Sequence, residues 1–219
     1  MPKPFQSIKY TRGGIHIKED AITSAMSNLL WAYDHGRFKY MDEFIQQYKS
    51  AADMLILGIY PDAKEITESF GAFNAVRTKL KKLYDLNDPH VNLISVGDGR
   101  TPRTAALFAF KTKWNCISVD PNLNQEKIPL WESKIDRLTC FPHKVEDLWE
   151  EITYDKVVIV AVHSHAPLEA ILSSIKAKQR SLISIPCCIP HNYNKTKCIE
   201  YTDAGINSPK NLVKVWKVI

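Results

Sequence analysis

The stretch ISVGDGRTPRTAALFAFKTKWNCISVDP, residues 94–121, joins an apolar run, two glycines, a helix-like segment and a second apolar run. Gly97 and Gly99 follow the first run, where glycine lets the backbone turn sharply and approach a ligand. Thr101 and Pro102 suit an N-cap and a first helical position, which predicts a helix whose free N–H groups face a crevice. This strand, turn, helix and strand pattern fits both a cofactor cradle and an ordinary α/β turn.

Short runs rich in valine and isoleucine recur after Pro89 and alternate with helix-like segments. Such runs indicate buried strands, and their alternation with helices predicts a parallel sheet covered on both faces. The last two runs have no helix between them, so they are expected to pair antiparallel. The predicted strands are 91–96, 115–120, 138–141, 156–162, 181–186, 198–203 and 212–219, and the predicted helices between them are 102–112, 123–135, 145–152 and 167–179.

The first part of the chain carries helical periodicity, with apolar residues three and four positions apart. Arg12 lies beside two glycines and would fit either a basic arm closing over substrate or a plain N-terminal loop. The expected fold is α/β: residues 1–88 form a helical lobe that serves as a lid or substrate region, and residues 89–219 form a Rossmann-like, mostly parallel seven-stranded sheet with a terminal antiparallel hairpin. Helices in the lobe are expected around 19–33, 41–55 and 70–83.

The charge and the cysteine content indicate which partners and which cellular compartment to expect. The balance of 29 basic and 24 acidic residues gives a formal charge of +5, which is compatible with an anionic partner. Five cysteines do not read as a disulfide framework, so the cytoplasm or another reducing intracellular compartment is expected. The first ten residues lack an apolar core, so no secretory signal is expected. The longest apolar run, 157–162, is too short to span a bilayer, and no membrane partner is expected.

The opening stretch resembles a known family. The strand VNLISV, the turn GDGRTPRTA and the strand end ISVDP look like the first two motifs of class I S-adenosylmethionine-dependent methyltransferases. The terminal hairpin is similar to the antiparallel closure of the methyltransferase sheet, and the resemblance covers about residues 90–219. It implies S-adenosyl-L-methionine as the cofactor.

The resemblance also assigns residues to that cofactor. The glycine turn would lie under the methionine part, and Asp120 would hold the ribose, as an acid about 20 residues further on also predicts on general grounds. After the third strand, Glu146 or Asp147 would meet the adenine. The fourth strand, which ends at Val162, would face the methyl group. The implied cofactor-binding residues are Gly97, Asp98, Gly99, Arg100, Thr101, Asp120, Pro121, Glu146 and Val162.

Two histidines follow the fourth strand and are the candidate catalytic residues. His163 and His165 are two apart, so on extended backbone they point the same way. Either could accept a proton from a nucleophile or orient a substrate. A subgroup of candidate RNA methyltransferases carries HxCGD and CCxxH at the corresponding places. The chain shares His163 and the Cys-Cys-x-x-His ending at His191 with that subgroup, but has His165 where a cysteine is usual.

Cysteines cluster after the fifth strand. Thiolates together with imidazole suit zinc, and the candidate ligands are Cys187, Cys188, His191 and Cys198. Adjacent cysteines are poor geometry for one tetrahedral ion, and the C-x₂-C spacing is missing. No metal is therefore expected, and these cysteines are interpreted as small apolar residues.

These features together predict an S-adenosylmethionine-dependent methyltransferase. RNA, protein and small-molecule acceptors stay open, and the charge and the histidine and cysteine pattern favour RNA. One alternative is an inactive methyltransferase-like binding or scaffold subunit, favoured by Thr101 in place of a third glycine and by Lys144 near the usual acid. Another is a nucleotide- or NAD-dependent enzyme, which the short glycine motif and the terminal hairpin disfavour. Oligomeric state stays open.

Overall fold

The computed structural model describes residues 9–11, 14–16, 19–148, 153–188, 191–193 and 196–217. Arg12, for which a basic arm and a plain loop both stayed open, and residues 149–152 of one predicted helix lie outside these ranges. The N-terminal part consists of a short hairpin followed by helices. These elements are β1 (Lys9–Thr11), β2 (Gly14–His16), α1 (Glu19–Asp34), α2 (Lys39–Ile45), α3 (Tyr48–Ile56) and α4 (Ala63–Ala75), which continues as a π-helical turn, Val76–Leu80.

The remainder alternates strands and helices until the terminal hairpin. The strands are β3 (Val91–Val96), β4 (Asn115–Val119), β5 (Leu138–Phe141), β6 (Thr153–Val162), β7 (Lys176–Ile185), β8 (Cys198–Thr202) and β9 (Leu212–Trp216). The helices are α5 (Arg103–Lys111), α6 (Ile128–Lys134) and α7 (Leu168–Ser174), with a 3₁₀ turn at Val145–Asp147.

The seven strands of the main sheet pair in the order β5-β4-β3-β6-β7-β9-β8. The first five are parallel, and β9 runs antiparallel to both β7 and β8. The predicted Rossmann-like sheet with a terminal antiparallel hairpin is confirmed. The chain proceeds from β3 outward to β5 and then returns to the other side of β3 with β6. Open α/β sheets bind ligands at the carboxyl ends of the strands beside such a reversal.

Alternating side chains of β6 build a core on each face of the sheet. Val158, Val160 and Val162 pack into one core with α4, α5 and α6. Val157 and Ile159 pack into the other core with α7. Successive side chains of a strand point to opposite faces, so a continuous apolar run is needed only where both faces are covered. The prediction of helices on both faces is therefore confirmed.

Helix α4 packs the N-terminal part against the sheet. Phe73 of α4 meets Phe108 of α5 edge to face, with ring centroids 5.3 Å apart. The Tyr84 hydroxyl donates to the Val157 carbonyl of β6 at 3.1 Å. These helices and the sheet share one apolar core. The division into 1–88 and 89–219 stays a prediction.

Several predicted helices differ from the observed ones. The predicted helix 123–135 is confined to Ile128–Lys134, and the predicted helix 70–83 belongs to α4, which begins at Ala63. The segment 41–55 is two helices, because Gln47 has non-helical backbone angles of φ −94° and ψ 57°. The segment 167–179 ends as a helix at Ser174, and β7 begins at Lys176, paired with Thr153 of β6. The first residues of β6 and β7 carry mainly polar side chains and lie outside the part of the sheet that helices cover. A search for apolar runs therefore misses them.

Within the described ranges, no helix combines the length and the apolar character required to cross a lipid bilayer.

Candidate functional site

A cleft of about 850 Å³ opens at the carboxyl ends of β3, β4 and β6. It lies at the strand-order reversal, where the parallel sheet predicts a ligand site. Val162 is buried in the first core and is not part of the lining. The other predicted site residues line the cleft: Gly97, Asp98, Gly99, Arg100, Thr101, Asp120, Pro121, Glu146, His163 and His165.

Asp98 is almost fully buried, with 2% of its surface exposed, and it holds the start of α5. Its carboxylate accepts from the Ser95 and Ser118 hydroxyls at 2.9 and 2.8 Å. It also accepts from the backbone N–H groups of Thr104 and Ala105 at 3.2 and 3.3 Å. The predicted free N–H groups at this helix end are therefore satisfied by Asp98. If a cofactor lies over this turn, Asp98 would stabilise the conformation of the glycine turn beneath it.

Thr101 does not cap α5, contrary to the prediction. Its hydroxyl donates to the Ile59 carbonyl at 2.6 Å. The Tyr60 hydroxyl likewise donates to the Arg103 carbonyl at 3.2 Å. The two bonds attach the segment before α4 to the glycine turn and to the first residue of α5, and Pro61 of that segment lines the cleft. The hydroxyl at position 101 is thus used to join the N-terminal part to the sheet, a contact that a third glycine could not make.

Gly97 and Gly99 both have left-handed backbone, with φ values of 86° and 80°. A Cβ on Gly97 would lie 2.6–2.8 Å from Ser164, including its Cα at 2.8 Å. A Cβ on Gly99 would meet nothing within 4 Å. Gly97 therefore allows close packing of the turn on the segment after β6, whereas Gly99 leaves open space at the cleft.

Asp120 ends β4 beside the glycine turn. Its carboxylate accepts from the Gly99 N–H at 2.8 Å and from the Asn122 N–H at 2.7 Å. The Asn124 N–H donates to the Arg100 carbonyl at 3.0 Å, which adds a second connection between the two segments. The glycine turn and the acid predicted from the opening stretch therefore contact each other directly.

The segment after β5 supplies the far wall. Lys144, Val145 and Glu146 line the cleft, and Asp147 is not part of the lining. The predicted helix 145–152 is a single 3₁₀ turn over Val145–Asp147 within the described residues. Of the two acids predicted near adenine, Glu146 is the one that the cleft contains.

His163 follows β6 in a left-handed conformation, with φ 52°. The extended backbone assumed for His163 and His165 is therefore absent. The His163 Nδ1 lies 3.4 Å from Glu68 Oε1, and its Nε2 lies 3.2 Å from the Lys210 carbonyl oxygen. Burial lowers the pKa of His163, and the Glu68 carboxylate opposes that shift. Both ring nitrogens contact protein groups, so the side chain is well placed to fix the position of this wall of the cleft.

Two acids of α4 were missed by sequence reasoning. Glu68 is fully buried, and its Oε1 lies 3.0 Å from Lys64 Nζ as well as near His163. Glu65 lines the cleft and forms an ion pair with Arg103, which is 8% exposed. Both glutamates lie within a helix of ordinary amphipathic composition. Only the packing of α4 against the sheet brings them to the site.

His191 braces the segments that follow β6 and β7. The ring is fully buried. Its Nδ1 lies 2.8 Å from the Ser184 hydroxyl, and its Nε2 lies 3.2 Å from the Ala166 carbonyl. Because a carbonyl can only accept, Nε2 donates to Ala166 and Nδ1 accepts from Ser184 in the neutral ring. Both nitrogens are thus occupied, and among the described residues neither His191 nor Cys198 belongs to a group that could hold a metal ion.

Unfolding should become easier as the pH falls below about 6.5, the ordinary pKa of histidine. Burial lowers the pKa of His191, which the Ala166 hydrogen bond opposes and Lys214 reinforces. The unfolded chain therefore binds a proton that the folded chain excludes, and each such proton contributes at most about 1.4 kcal/mol per pH unit. Urea unfolding measured across this pH range gives the free energy of unfolding as a function of pH. This free energy should change less steeply with pH in His191→Gln than in the wild type. His90→Gln, at an exposed position, should keep the wild-type slope, and equal slopes in all three proteins would contradict the assignment.

No protein-family model matches the chain, and no curated protein matches it significantly. Among solved structures, the chain is similar to a crystal structure of a mutant of MtNAS, with 13% identity, 84% of this chain and 74% of that chain covered, and a TM-score of 0.44. It is also similar to a mutant of MtNAS in complex with S-adenosylmethionine, with 13% identity, 84% and 77% of the two chains covered, and a TM-score of 0.42.

Proposed function

We propose that the chain binds S-adenosyl-L-methionine in the cleft and transfers its methyl group to an acceptor. The observation that carries the proposal is the direct contact between the glycine turn and Asp120, at 2.8 Å, on the carboxyl ends of adjacent parallel strands. This contact borders a cleft of about 850 Å³ at the strand-order reversal. Small-molecule sites typically measure about 300–1,000 Å³.

The residues around the cleft fit the proposed ligand. Nothing lies within 4 Å of the Cβ position of Gly99, so the backbone there can approach a ligand closely. Each Asp120 carboxylate oxygen accepts one backbone N–H and keeps acceptor capacity for a ribose hydroxyl. Val119 and Trp131 supply apolar lining, and Glu146 supplies a polar group for an adenine amino group.

The chain contributes mainly binding, orientation and exclusion of water. When bound, S-adenosylmethionine supplies a methyl group activated by a sulfonium centre. Transfer then depends on holding the acceptor in line with that group. His163 is the proposed proton acceptor for a nucleophile that carries a proton, and its Nδ1 faces the Glu68 carboxylate, which would stabilise the charged ring.

A binding or scaffold subunit is the second candidate function. It is favoured by the engagement of both His163 ring nitrogens with Glu68 and Lys210, because proton transfer would require one of these contacts to break. In that case the ligand would serve to order the cleft. The two candidates agree on binding and differ only on transfer.

Replacing Asp120 with alanine should weaken S-adenosylmethionine binding by about 10–100-fold, because a charge-assisted hydrogen bond contributes about 1.5–3 kcal/mol. Calorimetric titration of the wild type with S-adenosylmethionine, S-adenosylhomocysteine and NAD measures the affinity and the choice of ligand. Asp136→Ala, an exposed acid before β5 on the opposite edge of the sheet, is the matched control. Absence of binding to either sulfur compound would overturn the proposal, and binding of NAD alone would favour a nicotinamide enzyme.

Transfer is tested by incubating the protein with cell extract and methyl-labelled S-adenosylmethionine. The basic charge and the histidine and cysteine pattern favour RNA among the open acceptors, so we expect label in a macromolecule that ribonuclease destroys, and label in protein or in a small molecule would identify another acceptor. His163→Asn should abolish labelling, because asparagine tolerates the left-handed backbone and cannot accept the proton. His90→Asn should label normally. Binding without labelling would favour the scaffold, and full labelling by the His163 variant would remove that ring from the chemistry.

A further inference from the structure

The segments after β6 and β7 meet at the rim of the cleft. The two strands are adjacent and parallel, with Val162 opposite Ile185, so their carboxyl ends lie side by side. The His163 N–H donates to the Ile185 carbonyl at 2.8 Å. The buried His191 ring joins the same two segments through Ser184 and Ala166. These contacts hold the two segments in a fixed arrangement before any ligand arrives.

The two segments together carry three soft ligand groups at this rim. The Sγ atoms of Cys187 and Cys188 are 3.4 Å apart, and Cys188 Sγ is 3.3 Å from His165 Nε2. The three ligand atoms all lie within 4.8 Å of one another. Adjacent residues on a strand would point to opposite faces, but β7 ends at Ile185 and both cysteines lie in a bend. Adjacent cysteines were expected to be poor geometry for one ion, but in this bend both thiols can face the same ion.

These distances are close to those of a tetrahedral zinc site. With Zn–S near 2.3 Å and Zn–N near 2.0–2.1 Å, the tetrahedral angle requires S···S of about 3.8 Å and S···N of about 3.6 Å. The Cys187–Cys188 and Cys188–His165 separations of 3.4 and 3.3 Å are shorter than these values by only a few tenths of an ångström, and the third separation, from Cys187 to His165, is at most 4.8 Å. Two thiolates would neutralise the charge of Zn²⁺, and sulfur and imidazole are the ligands that zinc prefers.

We infer that His165, Cys187 and Cys188 bind a zinc ion at the rim of the cleft. Three protein ligands leave a fourth position for water or a substrate group, as in zinc sites that take part in chemistry. His165 lines the cleft, so that position adjoins the space proposed for the ligand. The site goes beyond the proposed function, because metal binding requires neither S-adenosylmethionine nor an acceptor.

Cobalt(II) titration of the reduced protein tests the site, since cobalt(II) replaces zinc and its thiolate complexes absorb in the near ultraviolet by charge transfer. We expect one cobalt per chain with thiolate charge-transfer absorption that zinc abolishes. Cys187→Ser, Cys188→Ser and His165→Asn should each weaken binding by more than about 100-fold, because loss of an outer partner alone costs about 10–100-fold. Cys198→Ser is the matched control, since Cys198 lies on β8 outside the cluster.

Circular dichroism of each variant separates loss of a ligand from loss of the fold. A cobalt complex without thiolate absorption would overturn the inference, as would equal affinity in wild type and Cys188→Ser. A Cys187–Cys188 disulfide that forms in air, together with failure of the reduced chain to bind metal, would identify the pair as a redox group instead. Calorimetry with S-adenosylmethionine on the metal-free protein reports on the proposed function independently.

Discussion

Replacing Asp98 with alanine should lower the free energy of unfolding by about 3–5 kcal/mol, because each hydrogen bond to a charged group contributes about 1.5–3 kcal/mol and such contributions are not fully additive. The carboxylate accepts four hydrogen bonds, from Ser95, Ser118, Thr104 and Ala105. Its removal would leave the buried amides at the start of α5 without an acceptor. For a chain of this size the loss corresponds to roughly 6–20 °C in the melting temperature. Thermal and urea unfolding measure it.

Asp98→Asn distinguishes the charge from the shape of this group. An amide of equal size keeps one acceptor oxygen but turns an NH₂ group toward a donor, so it should recover only part of the loss. Asp147→Asn, at an exposed position outside the cleft lining, should change stability by less than about 0.5 kcal/mol. Wild-type stability in Asp98→Ala would show that the four donors find other partners, and the structural role assigned to Asp98 would then be wrong.

Gly97→Ala should destabilise the fold by about 3–5 kcal/mol, by adding left-handed strain to a steric overlap. The new methyl group would lie within 2.6–2.8 Å of Ser164, and one of the contacts is with backbone. The turn and the segment after β6 would have to separate, which should also reduce binding in the cleft. Unfolding in urea measures the stability, and calorimetry with S-adenosylmethionine measures the binding.

Gly99→Ala is the matched comparison for this prediction. It has a similar φ of 80° but meets nothing within 4 Å, so only the strain of about 1–2 kcal/mol remains. In Gly97→Ala, a second change of Ser164→Gly removes the Cβ and Oγ contacts and should restore part of the stability. Equal losses at the two glycines, or no gain from the second change, would contradict the packing explanation.

The part of the sheet that helices cover was predictable, because its strands are short runs of mainly apolar residues that can be recognised in the sequence. The strands Val91–Val96 and Leu138–Phe141 have the predicted bounds, because each is a short, mainly apolar run with turn residues on either side. The largely polar beginnings of β6, residues 153–155, and of β7, residues 176–180, were missed for the converse reason. They pair through backbone hydrogen bonds, which leave no trace in side-chain composition.

The partners of the candidate site residues were not predictable. Thr101 suited an N-cap by its position, yet Asp98 supplies the cap and Thr101 bonds to Ile59. Glu68 and His163 are about 95 residues apart in the sequence, and the two meet only because α4 packs on the sheet. Local capping rules and motifs cannot weigh such distant competitors, because they consider only neighbours in sequence.

By itself, the sequence determined the seven strands of the main sheet and the position of the glycine turn and its acid, because apolar patterning and glycine's freedom act over a few residues. Tertiary structure alone decided which groups meet. It placed Asp98 among four donors, Glu68 beside His163, and His165 next to Cys187 and Cys188. The physical reason is that parallel strands bring the ends of distant segments to one edge of the sheet, where contacts depend on three-dimensional packing.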